Sequence, residues 1–175
     1  MKNKALFLDR DGVVNIDKHY IFRKEDFIFT EGIFDLVQNA KTHNYKIIVI
    51  TNQSGIGRGI FSEEQFHDLN KWMLDQFLDN SSPIDQVYFC PTHPKDGIGK
   101  YKKNDYRRKP EPGMFFEASN EHNLDLSKSI MVGDKVSDME AAEKCGIQKL
   151  FLYSSKIEYK NSLRIKKLKE VLQYL

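Results

Sequence analysis

Apolar residues in this chain occur in short continuous runs, in alternation or at helical spacing. The runs predict four buried strands, at residues 5–8, 46–50, 129–132 and 147–152, and alternation over residues 84–90 predicts a fifth strand. Helical spacing predicts four helices, at about residues 30–40, 62–78, 113–121 and 136–144. Strands that alternate with helices indicate an α/β fold with a central parallel sheet that is covered on both faces.

Two stretches depart from this alternation. Residues 15–29 mix polar and aromatic side chains without a period, which predicts a loop with room for a small hairpin, folded over the end of the first strand. Beyond residue 155 the chain is rich in lysine, and we expect these lysines to form a solvated face. Apolar residues there predict a terminal helix packed back on the domain, through Leu168, Val171, Leu172 and Leu175.

Composition narrows the class of protein. A chain of 175 residues with 40% hydrophobic and 30% charged residues is typical of one soluble domain, residues 1–175. It has no apolar run of about 18 residues and no room for a signal peptide before the first strand. The net charge of +2 is too small to argue for nucleic acid. We expect a cytoplasmic monomer with no membrane or nucleic-acid partner, and no disulfide between Cys90 and Cys145.

The first predicted strand ends in a pair of acids. Asp9 and Asp11 are two residues apart on an extended chain, so they project to the same side, and Gly12 lets the backbone turn away. Such a pair can share a divalent cation, since Mg²⁺ prefers oxygen ligands. An ionised aspartate can also attack phosphorus without a separate base. Taken alone, a solvated acidic turn explains the pattern equally well.

Three later stretches carry polar residues at comparable places. Thr51 and Asn52 follow the second strand, Arg108 and Lys109 stand before a helix, and residues 133–138 follow the fourth strand. The carboxyl ends of parallel strands meet at one edge of a sheet, so these groups can converge there. The chain lacks the glycine-rich loop that cradles nucleotide phosphates.

Five longer strings carry a family resemblance: DRDGVVN, TNQSGIGRG, CPTHP, RRKPEPGM and VGDKVSDMEAA. They resemble the haloacid dehalogenase (HAD) superfamily, and within it the D-glycero-D-manno-heptose 1,7-bisphosphate phosphatases, with histidinol-phosphate phosphatases as the nearest relatives. The resemblance covers about residues 6–152. It implies a HAD-like Rossmannoid three-layer sandwich without a large cap domain. It also implies a Mg²⁺-dependent phosphatase for a small sugar phosphate, in the synthesis of lipopolysaccharide or surface heptose (ADP- or GDP-heptose).

The resemblance assigns roles to individual residues. It makes Asp9 the nucleophile that forms an aspartyl-phosphate and Asp11 the general acid and base. Stabilisation of the transferring phosphoryl group falls to Thr51, Arg108 and Lys109. The metal ligands would be Asp9, Asp134 and the main-chain carbonyl of Asp11, while Asp138 orients Lys109 or closes a helix start. The substrate-binding residues would be Asp17, Lys18, His19, Tyr20, Asn52, Gln53, Ser54, Arg58 and Lys135.

Other functions stay open at this point. The same chemistry could serve histidinol phosphate or another small phosphomonoester. A nucleic-acid 3′-phosphatase or binding module could use the basic cluster at residues 95–109 and the lysine-rich tail as a phosphate-tracking surface. A catalytically dead binder is disfavoured, because all the expected catalytic positions are present.

One segment departs from the family pattern. The family carries a structural zinc bound through Cys-Pro-His-His-Pro and a later Cys-x-Cys; here Cys90 remains, but Thr92, Asp105 and Arg107 stand at the other ligand positions. A structural zinc site almost always has four close ligands, so we predict no structural zinc. Without the metal, we expect charge pairing and the packing of Tyr101 and Tyr106 to hold the loop at residues 92–107. We also expect this loop to be one of the more mobile parts of the domain.

Overall fold

A central sheet organises residues 2–175, the part of the chain that the computed structural model describes. Its six strands are all parallel, in the order β3-β2-β1-β4-β5-β6. They are β1 (Lys4–Leu8), β2 (Tyr45–Asn52), β3 (Gln86–Cys90), β4 (Ile130–Gly133), β5 (Lys149–Tyr153) and β6 (Leu163–Ile165). The chain moves outward from β1 to β3 and then returns to the other side of β1. This creates a switch point between β1 and β4, where ligands bind in such sheets.

Helices fill the connections between strands. They are α1 (Ile33–Thr42), α2 (Ser54–Gly57), α3 (Glu63–Asp79), α4 (Gly113–His122) and α5 (Val136–Lys144). Short 3₁₀ helices occur at Lys24–Asp26, Gly99–Tyr101, Leu126–Lys128 and Leu168–Tyr174. A capping box of Ser62 and Gln65 begins α3. Of residues 2–175, no helix combines the length and the apolarity needed to cross a bilayer.

Side chains of β1 alternate between two cores, and this alternation generates the layers. Leu6 and Leu8 pack with α1, α3 and the C-terminal 3₁₀ helix. Ala5 and Phe7 pack on the opposite face with α4 and α5. The predicted α/β fold, a three-layer sandwich around a parallel sheet, is therefore confirmed.

The structure corrects three details of the predicted elements. The predicted terminal helix is the 3₁₀ helix Leu168–Tyr174. The sixth strand, β6, was not predicted, because it has three residues and only Ile165 is buried. The short helix α2 was not predicted either.

The loop expected over the end of β1 is fixed there by aromatic packing. Asn15 pairs with Phe29 in an antiparallel bridge, as expected for a small hairpin. The Phe29 ring packs 5.8 Å from that of Trp72, centroid to centroid. At its tip His19 and Tyr20 adopt left-handed backbone angles, with φ of 62° and 51°. The Asp17 carboxylate accepts a hydrogen bond from the His19 amide (2.8 Å), which supports this conformation at the sheet edge.

The loop at residues 92–107 is held largely as expected. Tyr101 packs beside the cluster of Ile56, Phe61 and Phe66, and its hydroxyl donates to Glu63 Oε1 (2.7 Å). Charge pairing also holds the loop, through Asp96 and Arg58 (2.8 Å), although Arg58 itself was expected at the substrate. The expected packing of Tyr106 is wrong, because 59% of this residue is exposed.

Candidate active site

A cavity of about 500 Å³ opens at the carboxyl ends of the central strands. It brings together most of the residues singled out in the sequence: Asp9, Asp11, Asp17, His19, Tyr20, Thr51, Asn52, Gln53, Ser54, Arg108, Lys109 and Lys135. Gly55, Pro110, Ser137 and Asp138 complete its lining. Lys18, Arg58 and Asp134 are not part of that lining.

Asp9 stands at the end of the central strand β1 and is only 4% exposed. Its Oδ1 accepts hydrogen bonds from the Arg10 amide (2.8 Å) and from Lys109 Nζ (2.9 Å). Both donors use Oδ1, so Oδ2 is not engaged by them. Burial raises the pKa of Asp9 to about 6; Lys109 opposes this rise and the negative charge of Asp138 adds to it. The site thus holds a buried carboxylate beside a fixed positive charge.

That charge belongs to Lys109, which is 3% exposed. Its Nζ lies 2.6 Å from Asp138 Oδ1 and 2.9 Å from Asp9 Oδ1, and it donates to the Ile50 carbonyl (2.8 Å). Burial disfavours the ammonium, but the two carboxylates outweigh burial and raise the pKa of Lys109. Lys109 is therefore charged and held by three oxygens.

Asn52 fixes the main chain of Lys109. Its Nδ2 donates to the Lys109 carbonyl (3.0 Å) and its Oδ1 accepts from the Lys109 amide (3.1 Å). The Asn52 side chain is thus engaged on the protein itself, although the residue lines the cavity.

Asp138 combines the two roles that were expected as alternatives. Its Oδ1 pairs with Lys109, and its Oδ2 accepts from the Lys135 amide (3.0 Å) at the start of α5. Gly133 makes room for it, since a Cβ on this glycine would lie 2.4 Å from the Asp138 Cβ.

Asp11 is held by three side chains, of which Arg10 and Asn15 were not predicted from the sequence. The Arg10 side chain is 1% exposed, and its Nη2 lies 3.1 and 3.0 Å from the two carboxylate oxygens of Asp11. Asn15 Nδ2 donates to Asp11 Oδ1 (3.1 Å). Gln53 Nε2 donates both to Asp11 Oδ2 (2.8 Å) and to Thr51 Oγ1 (2.9 Å). The sequence did contain a signal for Arg10. It stands between two acids directly after a buried strand, and a buried arginine requires such partners.

Three carboxylates form a cluster suited to a cation. Oxygens of Asp9, Asp134 and Asp138 lie within 4.8 Å of one another. Both oxygens of Asp138 already have partners, so Asp9 and Asp134 are the better ligands. Within residues 2–175, Asp134 Oδ1 is buried without a hydrogen-bond partner. Gly12, at φ 104°, lies so close that a Cβ would stand 2.3 Å from Asp134 Oδ2. Oxygen ligands around an unpaired buried carboxylate fit Mg²⁺.

The charge of this cluster favours a cation. Burial and the negative charge of Asp9 raise the pKa of Asp134 to about 8, with Lys135 opposing the rise. A bound divalent cation reverses this effect, since it favours the ionised form of its ligands.

Magnesium binding should accordingly depend on pH. Asp134 holds a proton at neutral pH in the metal-free protein, and binding must release it. We expect Mg²⁺ affinity to rise by about tenfold per pH unit below pH 8 and to level off above it. Calorimetry at pH 6 to 9, in buffers of different ionisation enthalpy, measures affinity and proton release together. An affinity that is flat across this range contradicts a raised pKa of Asp134 in the metal-free protein.

The rim of the cavity differs in part from expectation. Lys135 Nζ contacts Asp17 Oδ2 (3.2 Å) and Asp134 Oδ2 (3.7 Å), which joins the loop over β1 to the metal cluster. Arg58 turns to Asp96. Arg108, in contrast, lies in the cavity wall beside Lys109.

Comparison with known proteins identifies the family. Residues 106–167 match a family model described as HAD-hydrolase-like. A D-glycero-alpha-D-manno-heptose-1,7-bisphosphate 7-phosphatase from Burkholderia mallei is 53% identical over 84% of this chain and 78% of its own. A protein of the same name from Campylobacter jejuni is 41% identical over 99% of this chain and 96% of its own. The beta-named 7-phosphatase of Vibrio cholerae is 48% identical over 84% and 79% of the two chains.

A solved structure agrees with these matches. The D,D-heptose 1,7-bisphosphate phosphatase from B. bronchiseptica, in complex with magnesium and phosphate, superposes with a TM-score of 0.83 at 25% identity. The match covers 98% of this chain and 97% of that chain. The chain therefore belongs to the D-glycero-D-manno-heptose 1,7-bisphosphate 7-phosphatase family of HAD-superfamily phosphatases.

Proposed function

We propose that the chain removes the 7-phosphate of D-glycero-D-manno-heptose 1,7-bisphosphate, in a Mg²⁺-dependent reaction through an aspartyl-phosphate. The main support for this reaction is the pair formed by the buried Asp9 carboxylate and Lys109 Nζ, which lie 2.9 Å apart in the cavity lining. The names of the relatives supply the substrate, and the cavity of about 500 Å³ has room for a sugar bisphosphate.

The first step transfers the phosphoryl group to the protein. Asp9 Oδ2 attacks phosphorus, and the bond from phosphorus to the C7 oxygen breaks. Asp11 gives a proton to that leaving oxygen, so the sugar departs as an alcohol. Lys109 stabilises negative charge on the phosphoryl oxygens as they pass. Thr51, held by Gln53, offers its hydroxyl to the same oxygens.

The second step releases phosphate. Water attacks the phosphorus of the aspartyl-phosphate, and Asp11, now a carboxylate, takes the proton from that water. The bond between phosphorus and Asp9 breaks and regenerates the carboxylate. Arg10, Asn15 and Gln53 keep Asp11 in place for both proton transfers.

A cation held by Asp9 and Asp134 would neutralise charge on the phosphate when it is bound. The proteins named above differ in sugar anomer. The alpha name belongs both to the relative at 53% identity and to the one that covers 99% of this chain. We therefore propose the α anomer as the preferred substrate.

Phosphate release from purified protein with Mg²⁺ tests the substrate. The substrates are the α and β anomers of heptose 1,7-bisphosphate, together with histidinol phosphate. We expect the highest kcat/KM for the α anomer, one phosphate per molecule and a product that keeps its phosphate on C1, as read by ³¹P NMR. A higher kcat/KM for histidinol phosphate contradicts the proposed substrate and favours the related activity. Treatment with chelator should abolish turnover, and added Mg²⁺ should restore it.

A further inference from the structure

The segment that departs from the family's zinc pattern forms a connected set of hydrogen bonds. Cys90 Sγ lies 3.1 Å from Thr92 Oγ1, and the Thr92 hydroxyl donates to Asp105 Oδ2 (3.2 Å). Asp105 Oδ1 accepts from the Arg107 amide (2.9 Å). Cys90 and Thr92 are buried, with exposed fractions of 0% and 3%. The positions expected for zinc ligands are thus bonded to one another.

These residues do not fit a structural zinc. Of the four positions that carry zinc ligands in the family pattern, only Cys90 offers a thiol, and Arg107 carries a positive charge, whereas a structural zinc site almost always has four close ligands. The Arg107 guanidinium points to Glu117, with Nε 2.9 Å from Oε2. His93 Nδ1 accepts from the amides of Lys95 and Asp96.

The same bonds close a ring around Arg108. Arg108 Nη1 donates to the Thr92 carbonyl (2.9 Å), and the Arg108 amide donates to the Asp105 carbonyl (3.0 Å). The hydroxyl of Thr92 joins Thr92 to Asp105 and completes the ring. Arg108 is therefore gripped at its guanidinium and at its main chain by two residues that are bonded to each other.

We propose that Thr92 and Asp105 are positioning residues that hold the Arg108 guanidinium in the cavity wall without a metal. The side-chain bond between Thr92 and Asp105 fixes their spacing, and this spacing sets where the guanidinium lies. This inference rests on the proposed function and assigns Arg108, which lines the cavity, to binding substrate phosphate.

The test is a double-mutant cycle between Thr92 and Arg108. Thr92→Val keeps the shape of the side chain but removes the hydroxyl. We expect KM for heptose 1,7-bisphosphate to rise by about 2- to 10-fold, as for the loss of one hydrogen bond, with kcat changed less than about twofold. Thr92→Ser, which keeps the hydroxyl, should restore the wild-type KM. In an Arg108→Ala background, Thr92→Val should raise KM no further.

Thr30→Val is the matched control. Thr30 is also buried, and within residues 2–175 its hydroxyl has no hydrogen-bond partner. Its loss should leave KM unchanged. A merely structural role of Thr92 would lower the melting temperature without this selective change in KM.

Several outcomes overturn the inference. They are a wild-type KM in Thr92→Val, an equal rise of KM with and without Arg108, or a KM that Arg108→Ala leaves unchanged. About one zinc per chain, found by elemental analysis of protein purified without added metal, overturns it as well. If the wild type hydrolyses histidinol phosphate but no heptose bisphosphate, the proposed substrate fails, and the same cycle is then measured on histidinol phosphate.

Discussion

Asp9→Asn should reduce turnover by a factor on the order of 10³ or more while the fold survives. Asparagine keeps the size of the side chain and an oxygen that can accept from the Arg10 amide, but it cannot attack phosphorus as a carboxylate. No phosphoenzyme should form. Acid quenching after mixing with ³²P-labelled substrate measures this, because the wild type should retain label on the protein and the variant should not.

The control for this variant is Asp35→Asn, the same change at an exposed position in α1. It should keep wild-type turnover and labelling. Wild-type phosphate release from folded Asp9→Asn would remove Asp9 from the mechanism.

The same substitution, Asp9→Asn, should raise the stability of the metal-free protein although it lowers turnover. Burial raises the pKa of Asp9 from 3.8 to about 6. A raised carboxyl pKa favours folding below the unfolded value and loses that contribution as the pH rises through the folded value. The charged carboxylate thus opposes folding at pH 8, and asparagine removes this charge. Metal-free Asp9→Asn should melt at a higher temperature than the metal-free wild type at pH 8, and the gain should shrink toward pH 5.

Most of the sheet could be predicted because β1, β2, β4 and β5 are largely buried on both faces. Such strands are continuous apolar runs. The edge strand β3 could be predicted from alternation, which its burial pattern follows. The strand β6 lies at the other edge and has three residues, with Leu163 50% exposed, so it shows neither pattern.

The site was predictable where a residue follows a strand directly. Asp9, Thr51 and Lys109 reach the cavity because strand ends and a helix start converge at the switch point. The direction of a side chain in a loop could not be predicted in this way. Arg58 was expected at the substrate but pairs with Asp96, a partner 38 positions away that no sequence pattern indicates. Arg10 was overlooked for a similar reason, since its role depends on contacts with Asp11 and the Ile21 carbonyl.

Lys109→Met should lower both the turnover and the stability of the protein. The ammonium that stabilises the phosphoryl oxygens is lost, which should lower kcat by about 10²- to 10³-fold. Two buried carboxylates, Asp9 and Asp138, also lose their shared cation. Breaking a buried charge pair costs about 3–5 kcal/mol, because the remaining charge is left without compensation. Urea unfolding of the metal-free protein measures the loss. Lys71→Met, at an exposed Lys71–Asp75 pair, is the matched control and should change neither quantity much.

A second substitution separates the two effects. Asp138→Asn in the Lys109→Met background removes one of the two uncompensated charges, while an asparagine oxygen can still accept from the Lys135 amide. Part of the lost stability should return, since Asp9 is then the one carboxylate left without its cation. Activity should stay low, because no cation has been restored beside the phosphoryl oxygens. If kcat recovers together with stability, Lys109 acts only through the fold; if neither recovers, the Asp138 charge is not the source of the penalty.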